Sequence, residues 1–535
     1  MLFDRTFHPD EANQAFTVGH LLETGRYTYQ PQDHHGPTLY YAAAPLQKAF
    51  GHTSTATLDG TLLRCTPLVF AVFTLVMGFV AFRKLTKSFW AAFSFIALLG
   101  TAPIFVFFAT DFIQEMLLTC FLMLMFFAGV NYFQPGSRIK PGSWALIFGI
   151  GAGLAFATKE TSVLSFGAAL LAVLPFRRTF TLPRSHLSHA SQLSQHVPFV
   201  ILGFGLTVAL FFSSFGADFH GLYNALVAAP HAYLHRAAGE AAAGGADWHV
   251  HPWWQYLEWL YCGKAVISTK NGFHLGATVP HILPMTFLLV MLPICALRKV
   301  REALPRTLIK AFLFCALYTA LLLVFYSLIR YKTPWCTLQI YVGEVATCVL
   351  GLHLCHHCYT VRSLYHGVSA KGLDWCCRFL PTLMTLFFVA IAIGEENIPA
   401  LCRLWTHPDS HDIPYNYAGA HAEVKELAQI AETALSAAER PAVGPVAARA
   451  ADPFVAVALP ACDTWPFPWY NRANEAKTGY WNDFDALKRL AEAGSRPAVV
   501  IVPMTEGHLV QPLFPHLKNT KRFFIRPGVR ARIFW

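Results

Sequence analysis

Apolar residues run in long blocks along most of this chain, and polar residues fall between the blocks rather than alternating with them. Blocks of about twenty residues match the hydrocarbon thickness that a helix must cross. They predict spanning helices near 63–82, 89–109, 112–133, 144–158, 161–176, 197–215, 279–297, 308–329, 337–355 and 379–394. The expected fold class is an all-α polytopic membrane bundle of about ten spans. Two regions depart from the pattern. Residues 1–62 are rich in acids and histidine, and from about residue 401 the blocks give way to shorter elements. There a helical stretch (420–440) precedes the β-branched runs FVAVAL (454–459) and AVVIVP (498–503), with a helix-like DFDALKRLAEAG between them. That alternation predicts a C-terminal α/β domain. The expected organisation is a first loop (1–62), a transmembrane domain (63–400) with a long loop at 216–278, and the C-terminal domain (401–535).

The loops alternate in charge. FRKLTK (82–87), QPGSRIKPG (134–142), FRRTFTLPR (176–184), LRKVREALPR (297–306) and the 356–378 loop carry lysine and arginine. Such loops stay cytoplasmic. Residues 1–62, the ATDFIQE, TKETS and RYKTPW turns, the 216–278 loop and the C-terminal domain are then expected on the extracytoplasmic side of a multi-pass cell (inner) membrane protein. The formal net charge of +10 sits largely in the short cytoplasmic loops, so it argues for membrane anchoring and against a nucleic-acid partner. The 13 cysteines lie mostly inside or beside apolar blocks, where they pack as small residues. Cys262, Cys402 and Cys462 stand where a disulfide would matter. HLCHHC (353–358) has metal-like spacing but no second ligand pair, so no metal is assigned to it.

Unusual polar residues collect on the outward side. Asp10 and Glu11, in FHPDEANQAF (7–16), suit a general base or metal ligand. Asp10 equally suits the N-cap of a helix over 11–24 stopped by Gly25. Asp111 and Glu115 are one turn apart, which predicts projection from the same helix face. A carboxylate at the edge of a span is costly without a cavity or partner, and Lys159 or Arg64 would serve Glu115 as an ion-pair partner. Lys159 and Glu160 occupy a tight turn, where the lysine either snorkels or serves a ligand. Arg330, Tyr331 and Lys332 lie in RYKTPW. Cations kept on the outward side against the charge bias suit an anionic ligand such as phosphate, or else an interfacial anchor with Trp335. His34 and His35 are candidates for binding metal or phosphate, or are polar surface. Carboxylates beside phosphate-binding cations suit group transfer from a lipid phosphate.

The ordered set PDEANQAF, HHGPTLYY, ATDFIQE, TKE and YKTPW resembles the GT-C superfamily of membrane glycosyltransferases. Within it the chain is similar to the protein O-mannosyltransferase and lipid A aminoarabinose transferase group, and most to the flippase-activity-associated family. DTWPFPWYNR (463–472) resembles a motif of that last family. The resemblance implies a polyprenyl-phosphate-linked sugar donor, a lipid, glycan or protein acceptor, and inverting transfer on the extracytoplasmic face. It implies Asp10 as catalytic base with Glu11 beside it, and Asp111 in the second acidic motif. His35, Lys159, Arg330 and Lys332 are then expected at the donor phosphate, with His34, Glu115, Glu160 and Tyr331 lining the same cavity. A divalent metal on Asp10 and Asp111 is a further candidate. The resemblance also implies a span ahead of the Asp-Glu loop, which is expected to be missing here because Asp10 follows so soon after Met1. A rival class is a lipid-linked glycan transporter, flippase subunit or non-catalytic assembly protein. Transporters of that kind tend to carry inverted repeats with midplane polar residues, and the sequence shows neither.

Overall fold

The apolar blocks fold as helices whose ends follow local chemistry. The computed structural model describes residues 2–32, 35–133, 139–176, 189–238, 249–262, 304–365, 383, 386–387, 389–390, 392–410, 415–416, 419–439 and 453–535. His34, the Cys262 side chain and the span expected at 279–297 lie outside them, as does part of that expected at 379–394. The helices are α1 (Pro9–Thr24), α2 (Thr38–Ala49), α3 (Gly60–Thr86), α4 (Phe89–Gly100), α5 (Pro103–Ala109), α6 (Glu115–Phe133), α7 (Pro141–Phe156), α8 (Ser162–Val173), α9 (His189–Phe212), α10 (Phe219–Tyr223), α11 (Ala229–Ala237), α12 (Gln255–Leu257), α13 (Arg306–Leu328) and α14 (Thr337–Tyr365). Among the described residues, five helices are long and apolar enough to cross a membrane, or six if α4 and α5 form one span.

The expected span at 89–109 is broken. Pro103 drives Ala102 out of the helical region, to φ −67° and ψ 127°, and then opens α5, which is bent 67° from α4. The span expected at 112–133 begins only at Glu115.

The chain forms two compact units. One comprises residues 26–39 and 64–406, the other residues 1–25, 40–63 and 407–535. In the first, α7 packs between α6 and α9, α13 packs on α8 and α14, and α4 packs on α14. Glycines set the closest approach. A Cβ at Gly149 would lie 2.2 Å from the Val200 carbonyl oxygen, and one at Gly203 would lie 2.6 Å from that of Leu146. Small residues let helix backbones meet where lipid provides no hydrophobic drive for association. Val69, Val72, Phe73 and Val76 of α3, and Ile201, Leu202 and Leu206 of α9, are exposed. Such apolar exposure suits a surface facing lipid.

The second unit holds a five-stranded sheet of order β2-β1-β3-β5-β4. Its strands are β1 (Val455–Ala458), β2 (Thr478–Trp481), β3 (Val499–Pro503), β4 (Thr520–Arg526) and β5 (Val529–Phe534). β2-β1-β3 are parallel, and β3-β5-β4 are antiparallel. Helix Glu423–Ala438 lays Val424, Leu427, Ala431 and Leu435 on Val455, Val457, Val499 and Ile501. Helix Asp485–Glu492 adds Leu487 to the other face, over Ala456, Ala458, Val500 and Val502. Burial on both faces is why β1 and β3 read as continuous apolar runs. The sequence reading missed β2, β4 and β5. β4 and β5 join through Gly528 at φ 81°.

The leading segment belongs to the same unit. Phe7 stacks on Trp469 at 4.5 Å, and its N–H donates to the Tyr470 hydroxyl at 2.8 Å. Arg472 lies 4.0 Å over the Trp469 ring and donates to the Leu58 carbonyl at 2.9 Å. Trp469 is 3% exposed, so within this unit its ring packs as an anchor. Cys402 and Cys462 are free thiols.

Candidate functional site

The HHGP stretch is strapped to the TKE turn. A Cβ at Gly36 would lie 2.2 Å from the Ala157 carbonyl oxygen, so the two backbones can meet there only without a side chain. Thr38 N–H donates to that oxygen at 3.2 Å, and the Thr38 and Thr158 hydroxyls are 2.7 Å apart. The contact places His35 Nδ1 2.9 Å from Glu160 Oε2. Tyr29 donates to Glu160 Oε1 at 2.5 Å, and the Tyr233 hydroxyl lies 2.9 Å from His35 Nδ1. Burial alone would push the Glu160 carboxyl up. The charge and hydrogen bond of His35, with the Tyr29 hydrogen bond, outweigh it and hold that carboxyl below its usual range.

Lys159 is buried and pairs with Glu115. Of the alternatives the sequence left for these two, the structure shows the ion pair rather than a snorkelling lysine. Glu115 opens α6 and Lys159 follows the last turn of α7, so each charge complements a helix dipole. Burial draws the Lys159 ammonium down, but the Glu115 carboxylate more than restores it, leaving it above the usual lysine value.

Lys332 turns inward. Its ammonium contacts the Ile329 carbonyl and donates to that of Ser327 at 2.9 Å, so it caps the C-terminus of α13. Burial lowers its pKa. Arg330 is exposed. Its backbone N–H donates to the Ala237 carbonyl at 3.3 Å, and its carbonyl accepts from His251 N–H at 3.1 Å. Tyr331 forms a β-bridge with Val250, and its ring lies 4.6 Å from that of His249. Tyr233 and Ala237 are one turn apart on α11, so one short helix holds both His35 and the Arg330 backbone.

Two expectations are corrected. Asp111 and Glu115 do not share a helix face, because Asp111 is buried in a non-helical break between α5 and α6. The Thr110 hydroxyl turns back to the Phe107 carbonyl at 3.1 Å, a local bond that competes with the helix ladder. Nor does Asp10 cap α1. His8 is the N-cap, accepting from Asp10 N–H at 3.1 Å, and Glu11 closes the box by accepting from His8 N–H at 3.0 Å. Gly25, at φ 73°, ends α1 as expected. Glu11 is buried and lies 3.5 Å from Arg5. The Asp10 side chain is 47% exposed, with His8 Nδ1 3.8 Å from its carboxylate.

The site residues thus fall in both units. Asp10 and Glu11 belong to that of the sheet, and His35, Asp111, Glu115, Lys159, Glu160, Arg330, Tyr331 and Lys332 to the helical one. Tyr29 and Tyr233 escaped the sequence reading. The YTY alternation before HHGP was the available signal for Tyr29, whereas nothing in the sequence marked Tyr233. Among the described residues, no three His, Cys, Asp or Glu side chains converge as a metal site would require.

Residues 34–202 match the family described as dolichyl-phosphate-mannose-protein mannosyltransferase. The fold is similar to that of ArnT from Cupriavidus metallidurans in the apo state, at 13% identity and a TM-score of 0.60, over 99% of this chain and 94% of that one. The same protein bound to undecaprenyl phosphate gives a TM-score of 0.61 at 13% identity, over the same shares of both chains. No curated protein matches the sequence. The family match and the shared fold together support a GT-C superfamily membrane glycosyltransferase, the class that the ordered motifs resemble.

Proposed function

We propose that this chain transfers a sugar from a polyprenyl-phosphate-linked donor to an acceptor on the extracytoplasmic face of the membrane, with inversion. The observation that carries the reading is the single turn of α11 that holds both His35 and the Arg330 backbone. An imidazole held from that turn, with an exposed arginine whose backbone is anchored to the same turn, suits a phosphate. The fold shared with ArnT, which binds undecaprenyl phosphate, supports the donor class. Lys159 and Lys332 act behind these two, since their ammonium groups are engaged by Glu115 and by helix carbonyls.

In this reading Asp10 is the general base. It takes the proton of the acceptor hydroxyl as that oxygen attacks the anomeric carbon. The bond from that carbon to the phosphate oxygen breaks, and the lipid phosphate leaves with the electron pair, its charge balanced by His35 and Arg330. Asp111 orients the acceptor or a metal. The half-exposed Asp10 carboxylate is spared from capping, because His8 and Glu11 perform that role. Asp10→Asn therefore keeps α1 intact and is expected to lower transfer from a polyprenyl-phosphate sugar by about 10²–10⁴-fold. Product formation by membranes holding the variant, followed by mass spectrometry, measures this. Undiminished transfer would refute the base assignment.

A further inference from the structure

We infer that Glu160 positions His35 as a proton-gated contact for the lipid phosphate, so that donor affinity follows the charge of this one imidazole. The inference rests on the donor reading above and deepens it. His35 is held at Nδ1 by Glu160 Oε2 and the Tyr233 hydroxyl, each at 2.9 Å, while Tyr27 donates to its carbonyl at 2.6 Å. Among the described residues Nε2 has no partner, and the side chain is 24% exposed, enough to meet a ligand. A carboxylate on one ring nitrogen fixes the tautomer and leaves the other nitrogen aimed and available.

The groups around His35 are Glu160 on the 157–161 turn, Tyr27 and Tyr29 on the leading segment, and Tyr233 on α11, while Lys159, next to Glu160 in sequence, is paired with Glu115. His231 and His235 on α11 face each other, at 3.3 Å. The Lys159–Glu115 pair is neutral as a unit. When His35 is charged, the Glu160–His35 pair is neutral as well. When it is uncharged, the cluster is left with one uncompensated carboxylate beside the incoming phosphate. Histidine is the side chain that ordinarily changes charge between about pH 5 and 8, so affinity for an anionic headgroup falls as pH rises across that range.

The test measures binding of undecaprenyl phosphate to the purified full chain at about pH 6, 7 and 8, for the wild type, His35→Lys and Glu160→Gln. The phosphate monoester itself titrates near pH 6, so each affinity is divided by that of His35→Lys, which stays cationic throughout. The wild-type ratio is expected to fall by about tenfold or more between about pH 6 and pH 8. In Glu160→Gln the ring loses the carboxylate that aims it, so binding at about pH 6 is expected to weaken relative to His35→Lys. Binding by wild type and His35→Lys with one common pH profile would overturn this inference alone, and Glu160→Gln binding as tightly as wild type at about pH 6 would overturn the role of Glu160. No binding by any variant at any pH would overturn the donor reading, and this inference with it.

Discussion

The Glu115–Lys159 pair offers the sharpest test of how the polar layer is held. Both side chains are buried, at 2% and 4% exposure, so each charge depends on the other. Lys159→Met leaves the carboxylate uncompensated where water cannot reach it. Breaking a buried pair in this way costs about 3–5 kcal/mol, roughly a 10²- to 10⁴-fold shift in the folding equilibrium. Glu115→Gln strands the ammonium at a similar cost. The double variant removes both charges at nearly constant volume, and replacing a buried pair whole is close to neutral. The two single losses therefore do not add, and the cycle should return a coupling of about 2 kcal/mol or more. Chemical denaturation of the four detergent-solubilised proteins, followed by circular dichroism, supplies the energies. Additive losses, or a Lys159→Met loss under about 1 kcal/mol, would refute a mutually dependent pair.

Gly36→Ala forces a methyl group against the Ala157 carbonyl, 2.2 Å away, and should cost about 1–3 kcal/mol by overpacking, read as a lower melting temperature. A melting temperature equal to wild type would mean that the HHGP strap does not need its glycine. Gly203→Leu should separate α7 from α9 by the same logic, and a folded, equally stable protein would deny that close contact. The depressed Glu160 carboxyl adds stability that is complete above the ordinary carboxylate pKa and is lost as pH falls through its lower folded value. Wild type should thus lose more stability than Glu160→Gln on acidification from about pH 5 to pH 3. Parallel losses would remove Glu160 from that account.

Helix positions were legible because apolar blocks of span length are rare outside membranes. The blocks at 63–82 and 308–329 became α3 and α13 with ends shifted by only a few residues. Breaks were less legible. Pro103 opens one that the span expected at 89–109 ran through, and Thr110–Gln114 makes another beside a local hydroxyl-to-carbonyl bond that a hydropathy pattern does not register. The α1 cap fell to His8 rather than Asp10, since any acceptor side chain at the right backbone position can serve. The candidate site was visible as residue types, and its partnerships were not. Tyr29 meets Glu160 across 131 residues of sequence, and Tyr233 meets His35 across 198. Lys332 looked like a ligand-binding cation because its sequence context does not reveal that helix carbonyls surround its ammonium.

The unit that holds the sheet is assembled from residues 1–25, 40–63 and 407–535. Phe7 leaves the ribosome well before its stacking partner Trp469, which is made 462 residues later. At about 5–20 residues per second, Phe7 waits roughly half a minute to a minute and a half for Trp469. Over that interval the intervening apolar helices are synthesised while Phe7 lacks its partner. The unit that holds the sheet therefore closes late in synthesis, once the strands around Trp469 have joined the segment that carries Phe7.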